Sequence, residues 1–291
     1  MEQKKTAVAL GLFDGVHLGH RAVISRPAEM ASGGLVPTVF TFRNTSLSFK
    51  QGRRIEYIYT DSYKERLIRS LGIDDVISED FSSLKDLSGE DFAGRILSER
   101  LCASCVVCGR DFRFGRNASC GIAELAELGK RFGFTAELAE DVTADGENVS
   151  SNRIRELLSN GRPEKAAQLL GAEYTIYGKA VHGKQIGRTI DFPTVNQLFE
   201  AEQLVPLYGV YASAVNIDGR DYRAVTNIGV KPTIEGERAP LAETHILGFT
   251  GDLYGETLEI RIKRFIRSER KFSSLDELKA QISADILKAD I

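Results

Sequence analysis

Two incompatible patterns share this chain and change over near residues 171–174. Before that point, short apolar runs alternate with segments of helical period; beyond it, short β-type runs follow one another through tight turns. Parallel strands need a crossover of a dozen or more residues between them, whereas antiparallel strands need only a turn. One sheet does not suit both halves, so two domains are expected, residues 1–171 and 172–291. The 291-residue length suits two domains of about 100–200 residues each.

In the first half, strands are expected over 6–10, 36–42, 75–77, 106–109 and 135–138. Helices are expected over 17–25, with Pro27 kinking or ending the helix, and over 60–71, with Ser62 and Glu65 at capping-box spacing and Gly72 as the stop. Another opens at Ser88 and Asp91 and runs through Leu101, and another spans 122–132 before Gly133. This alternation predicts an α/β fold with a doubly wound parallel sheet. A helix from Ser150 or Ser151 to Gly161, and a short one over 163–170, complete this half.

In the second half, runs over 210–217 and 222–228 flank Asp218-Gly219, a hairpin signal. A strand over 257–266 places Ile260 and Ile262 on one face and Arg261 and Lys263 on the other. Ser274 and Glu277 cap a terminal helix carrying Leu278, Ile282 and Ile286. The prediction is a small β-barrel closed by one C-terminal helix.

Chemistry concentrates first at Gly11–His20, GLFDGVHLGH. The apolar run 6–10 reads as a buried strand, and Gly11, Gly15 and Gly19 bring the backbone close to whatever sits above it. His17 and His20, at i and i+3, share one face of the first turn of a helix that starts there, beside unpaired N–H groups and the positive end of the dipole. Such a place suits phosphate. In a doubly wound sheet it lies beyond the carboxyl ends of the strands, where ligands bind.

Further on, GRDFRFG (109–115) interleaves Arg110 and Arg113 with Phe112 and Phe114; on its own it also reads as an edge strand with alternating faces. SSNRIR (150–155) combines serines at a helix N-terminus with Arg153 and Arg155, which makes an anion site and equally a plain helix cap. GKAVHGKQIGRTIDFPTVN (178–196) supplies glycines and a basic cluster, Lys179, Lys184 and Arg188, without the GxxxxGK[ST] of a P-loop.

These stretches resemble the bacterial bifunctional riboflavin kinase/FAD synthetases. HxGH after a glycine turn resembles the nucleotidylyltransferase motif, and the longer GLFDGVHLGH resembles the N-terminal half of the bifunctional enzymes. The glycine-rich loop followed by FPTVN resembles the flavokinase motif, AETHIL places Glu243 where that family has its base, and RSERKF resembles RPExKF. The resemblance implies two activities. The C-terminal domain would convert riboflavin and ATP to FMN and ADP, and the N-terminal domain would adenylylate FMN to FAD with release of pyrophosphate.

It also implies site residues. His17 and His20 would act on the ATP phosphates, with Gly11, Phe13, Asp14, Gly15, Gly19, Asp111, Phe112, Ser150, Ser151 and Arg155 holding nucleotide and flavin. In the kinase, Gly178, Gly183, Lys184, Gly187, Arg188, Pro193 and Arg267 would hold nucleotide or flavin. Thr194 and Asn196, at i and i+2 of an extended segment, would offer two neutral oxygens to Mg²⁺, and Glu243 would be the catalytic base. His182 and His245 receive no role. Four positions depart from the family pattern: Asn152 replaces threonine, Asp191 glycine, Gly248 aspartate and Ser268 proline. A single working site, or flavin binding without turnover, would follow if these changes disable a centre.

Two bulk properties narrow the partners. A formal charge of −3 gives no electrostatic reason to expect nucleic-acid binding and leaves small phosphorylated ligands open; the resemblance implies that the partners are riboflavin, FMN and ATP. No apolar run reaches the roughly 18 residues of a membrane span and the first residues lack a signal-peptide cleavage site, so no membrane association and a cytoplasmic location are expected. Cys102, Cys105, Cys108 and Cys120 begin as Cx2Cx2C, but a ferredoxin-like run requires a fourth cysteine three residues later followed by proline, and Cys120 stands twelve residues on. They read as small buried apolar residues, with an iron–sulfur or metal site as the alternative.

Overall fold

The computed structural model describes residues 4–44, 49–50, 53–54, 56–144, 146–181, 192–232 and 238–289. The chain forms two compact units, Met1–Ser151 and Asn152–Ile291.

The first unit is built on a five-stranded parallel sheet of β1 (Thr6–Leu10), β2 (Val36–Phe42), β5 (Asp75–Glu79), β6 (Ala103–Cys108) and β7 (Thr135–Leu138), in the order β5-β2-β1-β6-β7. Two-stranded ribbons β3 (Phe49–Lys50) with β4 (Arg53–Arg54), and β8 (Thr143–Ala144) with β9 (Glu147–Asn148), lie outside it. Strand β1 is apolar throughout because both faces are covered. Val8 and Leu10 join one core with Phe92, Leu97 and Leu125, while Ala7 and Ala9 join another with Ile24 and Ile68. From β1 the chain winds first to β2 and later to β6 on its other side, so the strand order reverses at β1 and a crevice opens at its C-terminal end.

Helix α1 (Leu18–Glu29) continues past Pro27, where the sequence led to a kink or an end. Val23, Ile24 and Pro27 form its buried stripe, so burial of the proline ring against the sheet offsets the missing N–H. The helix still ends two residues later in a 3₁₀ turn, Met30–Gly33. Helix α2 (Asp61–Ser70) is capped by Thr60, whose hydroxyl accepts the Tyr63 N–H at 3.3 Å, and not by Ser62, which bonds the Thr60 hydroxyl. Glu65 instead pairs with Arg69 on the surface at 2.8 Å. Ser88 caps α3 (Gly89–Asp91) as expected, accepting the Asp91 N–H, and the helix then widens to i→i+5 bonding over Phe92–Arg100. Helix α4 (Ile122–Phe132) closes at Gly133, and Glu124 accepts the Gly121 N–H at 2.7 Å. That bond holds the Glu124 carboxyl below its ordinary range.

Cys105 and Cys108 belong to the two opposite cores of the sheet, so β6 carries their thiols away from each other. Burial pushes the Cys108 thiol up to about 11, which keeps it protonated and inert. Cys102 and Cys120 are half-buried and free.

The second unit holds α5 (Ser151–Ser159, of which Ser151 closes the first unit), α6 (Pro163–Leu170) and an antiparallel sheet ordered β10-β15-β12-β13-β14-β11. Its strands are β10 (Tyr174–Lys179), β11 (Thr194–Leu198), β12 (Gly209–Ile217), β13 (Arg220–Pro232), β14 (Arg238–Ile246) and β15 (Thr257–Arg267). The β12–β13 hairpin turns at Asp218 and Gly219, with φ +49° and +81°, the two left-handed positions that a two-residue turn requires. The sheet curls until its edges meet at the antiparallel bridge Val181–Asn196. Inside lie Tyr174, Ile176, Tyr211, Val215, Ile228, Ile260 and Ile262. On the outer face of β15, Arg261 pairs with Asp221 at 2.7 Å and lowers that carboxyl.

Helix α7 (Leu275–Ala289) begins at Ser274, whose hydroxyl accepts the Glu277 N–H at 3.2 Å. Glu277 in turn accepts from the Ser273 N–H and hydroxyl, and is held below its ordinary range. Leu278, Ile282 and Ile286 are only half-buried, and the one fully buried side chain of α7 is Asp285. Among the described residues no helix is long and apolar enough to cross a membrane.

Candidate functional site

Each unit brings candidate residues together. In the first, Gly11–His20 fills the mouth of the crevice above β1. Gly11 is required by contact: a Cβ there would lie 2.7 Å from the buried ring of Phe13. Three bonds pin the loop. The Gly11 N–H donates to Phe40 O at 3.3 Å, the Thr41 hydroxyl donates to Leu12 O at 3.0 Å, and the Ile58 N–H donates to Asp14 Oδ1 at 2.9 Å. Asp14, 4% exposed, is therefore a loop anchor. The Ser151 hydroxyl donates to Asp14 O at 2.9 Å, tying the last residue of the first unit to the same loop.

Phe13 and Val16 sit at φ +52° and +42°. For a β-branched residue such as Val16 that is strained backbone, held here by the surrounding bonds. The strain delivers His17 to the N-cap of α1, where its Nδ1 accepts the His20 N–H at 3.2 Å. Because Nδ1 is the acceptor, the hydrogen of a neutral His17 ring is on Nε2. The His20 ring stacks on His17 with centroids 3.5 Å apart and planes 17° from parallel, and the Phe13 ring meets His20 edge-on at 5.5 Å. No acidic residue stands in the first turn of α1. Two parallel imidazoles on an uncompensated helix N-terminus form an anion cradle.

Behind it, buried Lys64 donates to Phe42 O at 2.8 Å and Asn44 Oδ1 at 3.0 Å and pairs with Asp61 at 2.9 Å, fixing the exit of β2. The loop after β6 carries exposed Asp111 and half-buried Phe112, which stacks on Phe114 with centroids 6.0 Å apart.

In the second unit the register makes the site. Asn196 of β11 lies directly opposite Glu243 of β14, and Glu243 directly opposite Asn227 of β13, so the three share one cross-strand row. One step along, Thr194 opposes His245. Thr194, Asn196, Glu243 and His245 thus occupy one face, supplying a hydroxyl, an amide oxygen, a carboxylate and an imidazole. His245 Nδ1 donates to Pro193 O at 2.8 Å, and its ring meets Phe192 edge-on at 5.3 Å, so it clamps the segment leading into Thr194.

Gly178 uses its carbonyl to accept from Gln197 Nε2 at 2.6 Å. On α5, Arg155 donates to Asn152 Oδ1 at 2.6 Å, so Asn152, which departs from the family pattern, orients the arginine that follows it. Arg267 is committed to the fold. Its Nε and Nη2 engage both carboxylate oxygens of Asp285 at 2.7–3.0 Å, and its Nη1 donates to Ser268 O at 3.0 Å. Asp285 is 1% exposed and also accepts from Gln281 at 2.7 Å.

Comparison with known proteins separates the same two halves. A FAD synthetase family model matches residues 1–153 and a riboflavin kinase family model matches residues 170–291. Proteins named bifunctional riboflavin kinase/FMN adenylyltransferase are similar over nearly the whole chain. The one from Pseudomonas fluorescens is 34% identical over 99% of this chain and 93% of that protein. The one from Listeria monocytogenes is 35% identical over 96% and 89%. This chain belongs to the bifunctional riboflavin kinase/FMN adenylyltransferase family. A crystal structure titled macrolide-efflux protein, from Streptococcus pneumoniae, superposes with a TM-score of 0.82 at 29% identity, covering 100% of this chain and 95% of that one.

For a member of the riboflavin kinase/FMN adenylyltransferase family, the sequence pointed to most of these positions. Gly183, Lys184, Gly187 and Arg188, with His182 and Asp191, lie outside the described residues. Sequence reasoning gave His245 no role, although its place two residues after Glu243 on a strand already put it on the same face. Lys64 was missed because nothing local marks a lysine that folds inward.

Proposed function

We propose that this chain makes FAD from riboflavin in two steps, phosphorylating riboflavin in residues 172–291 and adenylylating FMN in residues 1–171. The observation that carries the reading is that one chain holds two separately folded units, one with an imidazole-lined helix N-terminus and the other with Thr194, Asn196 and Glu243 on one sheet face.

In the adenylyltransferase, a phosphate oxygen of FMN attacks the α-phosphorus of ATP; the new P–O bond forms as the bond to pyrophosphate breaks. His17 Nε2–H, His20 and the N–H groups of α1 stabilise charge as it grows on the phosphates, and Gly11 lets the loop lie close to them. Phe13 and Asp14 hold this loop in shape, Gly15 makes its turn at φ +84°, and Gly19 lies in the first turn of α1. Ser150, Ser151 and Arg155 are assigned to the triphosphate by the family motif, and Asp111 and Phe112 to the nucleotide and flavin.

In the kinase, Glu243 takes the proton from the terminal ribityl hydroxyl of riboflavin as that oxygen attacks the γ-phosphorus, and ADP leaves. Two neutral oxygen donors, Thr194 and Asn196, in adjacent rows of one face fit Mg²⁺, with the remaining positions left to water and phosphates. Thr194 and Asn196 would hold it; when bound it neutralises charge on the transferring phosphoryl group. His245 and Pro193 keep Thr194 in place. Gly178 with Gly183, Lys184, Gly187 and Arg188 is the nucleotide loop by resemblance. Arg267 is assigned to flavin or phosphate by the family motif, and its ion pair with Asp285 on α7 fixes where its guanidinium stands. We place the protein in the cytoplasm, a reading supported by four free cysteines. Nothing in its charge calls for nucleic acid.

The test is product analysis after mixing protein, riboflavin, ATP and Mg²⁺. Wild type forms FMN, then FAD. His20→Ala stops at FMN, and Glu243→Ala forms no FMN but still converts added FMN to FAD. A folded variant that loses both steps refutes the two-site assignment.

A further inference from the structure

The kinase sheet closes at a seam beside the residues assigned to the metal. Its edge strands are β10 and β11, and the antiparallel bridge between Val181, just past β10, and Asn196 joins them, with the Val181 N–H donating to Asn196 O at 2.8 Å. Asn196 supplies the carbonyl of that bond and a candidate metal ligand from its side chain, so any play at the seam moves the ligand.

Gln197 spans the gap. Its side chain is fully buried on the inner face, opposite to Asn196, and its Nε2 donates to Gly178 O at 2.6 Å on β10 and to Leu258 O at 3.0 Å on β15. Both amide hydrogens are used, tying β11 to two strands at once. Its Oε1 is buried without a hydrogen-bond partner. An open acceptor in a dry interior is a cost that an apolar side chain of similar volume avoids. The amide therefore gives up stability and in exchange holds geometry.

We propose that Gln197 is a positioning residue that locks β11 across the seam and so sets the affinity of the kinase site for Mg²⁺ with nucleotide. The inference rests on the assignment of Thr194 and Asn196 to the metal made above. Losing a support just behind a metal ligand typically weakens metal binding by about 10-fold or more.

The test uses the full chain with Gln197→Leu and Gln197→Met, and Thr194→Ala as reference. Three quantities are read: the Mg²⁺ concentration for half-maximal riboflavin phosphorylation, the calorimetric affinity for Mg²⁺ in the presence of ADP, and hydrogen exchange at the Val181 amide. Both Gln197 variants are expected to melt at or above the wild-type temperature and to adenylylate FMN at the wild-type rate. They should bind Mg²⁺ about 10-fold more weakly and exchange the Val181 amide faster. Wild-type affinity in either folded variant, while Thr194→Ala loses it, overturns the proposal. Wild-type affinity in Thr194→Ala overturns the metal assignment itself and the proposal with it. If both Gln197 variants unfold, the proposal also fails, because it requires the amide to be dispensable for stability.

Discussion

The proposed mechanism gives His17 two jobs on two nitrogens, and two substitutions pull them apart. Its Nδ1 caps α1 by accepting the His20 N–H at 3.2 Å, and the proposed mechanism gives its Nε2–H to phosphate. Asparagine is a good N-cap and reaches the same N–H, but it ends where the far side of the ring begins. Glutamine is longer and can place an amide N–H near the Nε2 position, while capping poorly. An N-cap is worth about 1 kcal/mol of stability, and a lost transition-state donor costs about 2.7–4 kcal/mol, or ~10²–10³ in rate. His17→Asn should therefore melt like wild type and make FAD from FMN and ATP ~10²–10³ more slowly. His17→Gln should lose about 1 kcal/mol of stability and keep more of the rate. FAD is quantified by chromatography, and riboflavin phosphorylation by the same preparation gives the fraction of intact protein. Near-wild-type FAD synthesis by His17→Asn, or a greater rate loss in His17→Gln, would refute the division of roles.

Asp285→Ala leaves the Arg267 guanidinium, 18% exposed at its side chain, without its carboxylate. The expected loss is about 3–5 kcal/mol, largely restored in the double variant with Arg267→Met. Tyrosine fluorescence in urea reports it, since there is no tryptophan and six of nine tyrosines lie beyond residue 171; a loss below ~1 kcal/mol sinks the argument. Acid sensitivity follows from Glu124 and Glu277, whose carboxyls accept N–H bonds and sit below their ordinary value of 4.5 in the folded protein. In that window the unfolded chain binds more protons, so the stabilisation is complete above the ordinary value and is lost as pH falls through the lowered ones. Urea midpoints followed down through this range should fall less steeply in Glu124→Gln and Glu277→Gln than in wild type; identical slopes would contradict it.

Local features of the sequence translated directly into structure where one residue's own chemistry decides. The Asp218-Gly219 turn, the Ser88 and Ser274 caps and the alternation along β15 are of this kind. The His17–His20 spacing likewise delivered stacked rings. Tertiary contacts decided the rest. Pro27 stays helical because its ring is buried. The ion pair of Arg267 was not legible because its partner Asp285 stands eighteen residues away on a helix whose apolar pattern gave no hint of a buried carboxylate. Gln197 looked like filler between Asn196 and Leu198; its significance needs β10 and β15, which sequence alone does not bring to it.

The place of β15 in the second sheet also dictates when the kinase can exist during synthesis. The ribosome makes this strand last of the six, yet it lies between β10 and β12, pairing Tyr174 with Ile262 and Val215 with Ile260. A nascent chain halted before Thr257 has β10 with no neighbour on that side and β12 with an open edge, an invitation to pairing with other chains. The five parallel strands of the first unit are complete by Leu138, more than a hundred residues earlier. One half of the protein can fold while the other is still being translated, and the second folds only after its last strand has emerged.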